Sequence, residues 1–128
     1  MASILRVNTL TDASSNNSTA MSTINQGTAK AWGLFNGTGT VAIRDSFNIS
    51  GISDGGTGKL AVSIGDDMSS ANYAVTLRSD VDDDVQTSRF YNPEIYTRAA
   101  GSFNLVTYSN SAEEDHAYVD MAVHGDLA

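Results

Sequence analysis

Between Lys30 and Ile64 the apolar residues recur at every second position. Trp32 and Leu34 are two apart, as are Val41 and Ile43, Phe47 and Ile49, and Leu60, Val62 and Ile64. Side chains of a strand point alternately to opposite faces, so this period predicts short β-strands, each with one buried face. The runs are separated by Asn36-Gly37-Thr38-Gly39 and Asp54-Gly55-Gly56-Thr57-Gly58. Asparagine and glycine tolerate the positive φ that tight hairpin turns require. Taken with the later pair Val75 and Leu77, the pattern places Trp32, Val41, Ile43, Phe47, Leu60, Val62, Ile64, Val75 and Leu77 in the core.

The alternation continues through Tyr73, Val75 and Leu77, then Phe103 and Leu105, and ends in Val119, Met121 and Val123. Phe90-Tyr91 and Ile95-Tyr96 flank Asn92-Pro93, which reads as a turn because proline cannot continue a central strand. Strands spaced in this way predict an all-β fold: a single antiparallel β-sandwich or barrel-like domain over residues 29–128. Residues 1–28 read differently. Ile4, Leu5, Val7 and Leu10 suggest an extended attachment arm or short strand, and Thr11 to Thr19 a flexible polar linker. Met21 and Ile24, three apart and followed by Gly27, suggest one or two helical turns over Ala20 to Gln26.

Charge removes several classes of function. The 128-residue chain carries a formal net charge of −8, and its seven basic residues are scattered. No basic cluster is present to neutralise phosphates or an anionic bilayer, so neither nucleic acid nor membrane is the expected partner. No apolar run reaches the length of a membrane span, and Met1 to Arg6 does not read as a signal peptide. The sequence has no cysteine, which excludes disulfides and thiolate metal sites.

Candidate chemistry is sparse. Asp80, Asp82 and Asp84 match the first three acidic positions of a helix-loop-helix calcium loop. The match then fails, with Val85 in place of the turn glycine and Tyr91 in place of the bidentate glutamate. Gly55-Gly56-Thr57-Gly58-Lys59 lacks the first glycine and the final hydroxyl of a phosphate loop and reads as a hairpin turn. Glu113-Glu114-Asp115-His116 reads as an exposed loop within Ser109 to Ala117, with a zinc site from His116 and His124 as a minor alternative. No nucleophile elbow or dinucleotide fingerprint occurs. No enzyme and no cofactor is expected. Arg89, Phe90, Tyr91, Asn92, Tyr96 and Arg98 together have the composition of a recognition surface: rigid aromatic area with adaptable hydrogen bonding.

Gln26 to Trp32 (QGTAKAW) and Phe35 to Asn48 (FNGTGTVAIRDSFN) resemble small tail-fibre or appendage modules of tailed bacteriophages, common in phages of aquatic bacteria. Met68 to Val75 and Val119 to Asp126 are similar to the same family, and so is the opening Ile4 to Asp12. The stretch from Asp80 to Ala100 is not. The resemblance implies a non-enzymatic virion protein, assembled in the host cytoplasm, homotrimeric and in contact with other virion proteins. The segment that departs from the family wording is then expected to meet the host, in the form of a surface glycan. The other readings are a capsid decoration protein and, from a different class, a free carbohydrate-binding module.

Overall fold

The computed structural model describes residues 3–82 and 90–128. The chain begins with β1 (Thr9–Thr11), β2 (Ser18–Ala20) and a seven-residue helix, α1 (Met21–Gly27). The body then follows as β3 (Ala31–Asn36), β4 (Ala42–Phe47), β5 (Ile49–Asp54), β6 (Lys59–Ile64), β7 (Ala74–Asp80), β8 (Tyr91–Ala99), β9 (Ser102–Ser109), β10 (Ala112–Glu113) and β11 (Tyr118–His124). The fold is all-β. One antiparallel sheet has the order β4-β3-β11-β7; the other runs β5-β6-β9-β8, with β10 pairing back onto the end of β9.

The sheets pack face to face as a sandwich. The core is built from Ala31, Phe35, Val119, Met121 and Val123 on one side and Leu60, Val62, Ile64, Phe103 and Leu105 on the other, all buried. Met68 and Tyr73 close one end. The Tyr73 hydroxyl lies 3.0 Å from the carbonyls of both Ala99 and Ser102, so its single proton is shared between two acceptors on the opposite sheet.

The chain crosses between sheets at Asn48, whose φ is +54°. Asparagine is among the few residues that adopt this left-handed conformation at low cost. Its side-chain amide donates to the carbonyls of Lys30 (3.0 Å) and Asp66 (3.2 Å), and its side-chain oxygen accepts from the Asp66 amide at 2.6 Å. The expected turn between β5 and β6 is present: the Gly55 amide donates to the Lys59 carbonyl and the Lys59 amide to the Gly56 carbonyl.

Four expectations are corrected. Leu60, Val62 and Ile64 are buried and Val41, Val75 and Leu77 half-buried, but Trp32, Ile43 and Phe47 are exposed. A two-residue period gives the alternation of faces but not which face is inner. In β3 the inner set is Ala31, Gly33 and Phe35; the Phe35 ring lies over Gly33, where a Cβ would come within 2.5 Å of it. Trp32 is therefore on the outer face, beside Phe47 on the edge strand β4. Second, Asn92-Pro93 is no turn: both residues lie within β8, which pairs with β9 on one side only, so the missing proline N–H costs no ladder bond. Third, the stretch from Thr11 to Thr19 is no flexible linker: Thr11 ends β1, Ser18 and Thr19 lie in β2, and the residues between them form the hairpin turn. Asp12 accepts from Ser14 Oγ, the Asn16 amide and Asn17 Nδ2, and the Asn17 contact above all holds its carboxyl below the ordinary range. Fourth, Ser109 to Ala117 is an exposed loop only in part: Asn110 to Glu113 are exposed, and Ala112 and Glu113 form the short β10. Ser109 and His116 are buried, and His116 Nε2 lies 3.2 Å from Ser109 Oγ.

Candidate functional site

The recognition segment proposed from sequence falls mostly on β8. Its inner face carries Tyr91, Pro93 and Ile95, half-buried, and its outer face Asn92, Glu94 and Tyr96. Tyr91 is thereby removed from the candidate surface. Its ring meets His116 edge to face at 5.2 Å, so it packs at the end of the core. Phe90 sits just before β8 and is 80% exposed; its backbone exchanges bonds with Asn110, at the turn after β9. Arg98 lies beyond the β-bulge that separates Ile95 from Thr97, close enough to Tyr73 to act on it electrostatically, at the far end of the strand. Arg89 lies outside the described residues, as does Asp84.

Cross-strand register assembles the outer face. Glu94 opposes Val106, which opposes Lys59 on β6; Asn92 opposes Tyr108, which opposes Glu113 on β10. Lys59 Nζ is 3.0 Å from Glu113 Oε1, and Asn92 Nδ2 donates to Glu94 Oε1 at 2.7 Å. The Glu113 hydrogen bond, then its charge, raises the Lys59 ammonium above its ordinary value, and Tyr96 and Tyr108 stand near enough to add to the effect. The result is a solvent-facing patch of two tyrosines, an amide, two carboxylates and one cation on a pleated sheet. Sequence alone supplied Asn92 and Tyr96 but missed Lys59 and Tyr108. Their signal was parity: Tyr108 is out of phase with Phe103 and Leu105, and Lys59 with Leu60 and Val62, all four buried in the core.

Such a patch offers the chemistry of a binding surface. Tyrosine rings offer flat apolar area with a polar edge, and Asn92, Glu94 and Lys59 offer a donor–acceptor mixture suited to hydroxyl-rich ligands. Among the described residues no three His, Asp or Glu side chains gather where a metal ion could sit. Asp80 is engaged by Arg78 at 3.2 Å, and Asp82 lies just past the end of β7. His124 stands at the end of β11, whereas His116 is buried beside Ser109.

Comparison with protein-family models, with curated proteins and with solved structures finds no match. The functional reading therefore rests on the chain's own wording and on the geometry of its two outer faces.

Proposed function

We propose that this chain is a non-enzymatic structural protein of a tailed-phage virion: a homo-oligomeric tail-fibre or appendage module that touches the host surface through the outer face of β8. The observation that carries the reading is the coincidence of two independent features. The segment that departs from the phage-appendage wording is the one whose strand presents Asn92, Glu94 and Tyr96 outward, against Lys59 and Tyr108. The ligand class that fits this patch is a surface glycan, its sugar faces stacked on tyrosine and its hydroxyls bonded by the amide and carboxylates. A single shallow patch binds such a ligand weakly; three copies on one appendage raise avidity by about 10²–10⁴ without a new contact.

A capsid decoration role is the second reading, favoured by the arm. The described residues up to Ala20 are all exposed, as suits a segment laid across neighbouring subunits. Antibody labelling of intact particles, viewed by electron microscopy, separates the two. Label at the tail fibres supports the appendage module, label over the head supports decoration, and unlabelled particles refute both.

A further inference from the structure

Eight of the ten exposed large apolar side chains among the described residues fall into two groups. Ile4, Leu5, Val7 and Leu10 lie on the arm; Trp32, Ile43, Phe47 and Leu127 lie on the body. Ile4 and Leu5 are 73% and 80% exposed, and Phe47 is 54% exposed. Of the body group, Trp32, Phe47 and Leu127 form a continuous strip. Phe47, Met21, Ile24 and Leu127 line a groove of about 530 Å³ between α1 and the sandwich. Phe47 also opposes Trp32, which with Leu34 and Ala122 lines a second groove of about 480 Å³ on the outer face of the β3–β11–β7 sheet. An exposed apolar area of this continuity on a small domain marks an interaction surface.

We infer that the strip receives the N-terminal arm, Ile4 to Leu10, of a second copy of this chain. The inference rests on the oligomeric part of the proposed function and names its contact. Each copy carries one apolar arm and one apolar strip, and within one chain the side chains of Ile4, Leu5, Val7 and Leu10 are exposed and line neither groove. The arm leaves from Asn8, whose carbonyl accepts from the Met21 amide, at the base of a hairpin that itself stands exposed. Donation of each arm to the next copy is a head-to-tail contact, which closes into a ring when the rotation allows and satisfies every arm and strip at once. Charge agrees with this occupant. The copies are acidic and repel one another, but Arg6 is the only charged side chain in residues 3–8. The wall of the first groove carries Asp66, and Asp126 stands beside it, bonded by Gln26. Lys30, also on that wall, turns its ammonium onto the backbone carbonyls of Asn25 and Thr28, leaving the exposed rim acidic.

The test places a photo-activatable benzoylphenylalanine at Leu5 of the full chain and maps the cross-links by mass spectrometry, beside sedimentation of Leu5→Asp and Phe47→Asp. The expected result is cross-links between chains to peptides containing Phe47, Trp32 or Leu127. Both variants then sediment as the 13.5 kDa monomer while keeping the β circular dichroism of the wild type. Cross-links confined to one chain, or landing on other surfaces, overturn the inference. An oligomer that survives both substitutions overturns it too, and leaves the oligomeric reading intact. A wild-type chain that is monomeric at micromolar concentration removes both.

Discussion

Asn48 joins the two sheets with one side chain. Replacement by alanine removes three hydrogen bonds and leaves a Cβ residue at φ +54°, so Asn48→Ala is expected to lose about 2–4 kcal/mol of stability. Asn48→Gly loses the same bonds without the backbone penalty, and the difference between the two variants in urea unfolding measures the strain. Gly58 is a second such point. At φ +71° it brings its backbone against β9, where a Cβ would stand 2.7 Å from the Thr107 carbonyl. Gly58→Val is expected to be among the most damaging single changes, seen as a large fall in melting temperature. Tyr73 links residue chemistry to pH. Burial raises its phenol above the ordinary value of 10.0, because the phenolate is poorly solvated there. The folded state thus holds the proton more tightly than the unfolded chain. The stabilisation is complete below about pH 10 and is lost as pH climbs through the raised folded value. Tyr73→Phe is expected to be less stable at neutral pH, having lost its bonds to Ala99 and Ser102, and to show a shallower alkaline decline than the wild type.

At the scale of elements, period and phase are separate pieces of information. The period was legible in most of the body, in β3, β6, β7, β9 and β11 and in the short helix after Ala20, but not in β8, which runs through Asn92-Pro93, nor in β10. Phase was legible where a strand has apolar residues on one face only, as in β6, and failed in β3, where both faces are apolar. There Trp32 outweighs its neighbours by size, yet the inner side is set by Phe35, for which Ala31 and Gly33 leave room. The energetic consequence is direct. Phe103→Ala, in the buried centre of β9, is expected to cost about 3–5 kcal/mol. Phe47→Ala, half in solvent on β4, is expected to cost under about 1.5 kcal/mol in the isolated chain. Chemical denaturation of the two variants checks the contrast. The Asn92-Pro93 misreading has the same origin: proline punctuates a central strand, but β8 is an edge, and edge position is a property of the sheet rather than of the segment.

For the whole molecule, the sandwich presents two unlike outer faces. One, over β8, β9 and β6, mixes tyrosine, amide and charge. The other, over β3 and β11, is apolar at Trp32 and Phe47 and becomes polar toward Arg78, which bridges Asp80 and Asp120, and Arg44, which lies 4.7 Å over the Tyr118 ring. This division was not legible from sequence, because Lys59 on β6 and Tyr108 on β9 join the outer face of β8 only through cross-strand register. In the proposed module the polar aromatic face meets the host and the apolar face meets further copies. The most direct measurement is host-cell adsorption by phage carrying Asn92→Ala with Tyr96→Ala, two exposed side chains whose loss leaves the core untouched. The account predicts adsorption reduced at least about tenfold on particles that retain the protein at wild-type copy number, since each weakened contact is compounded over the copies. Adsorption at the wild-type rate by such particles would contradict it.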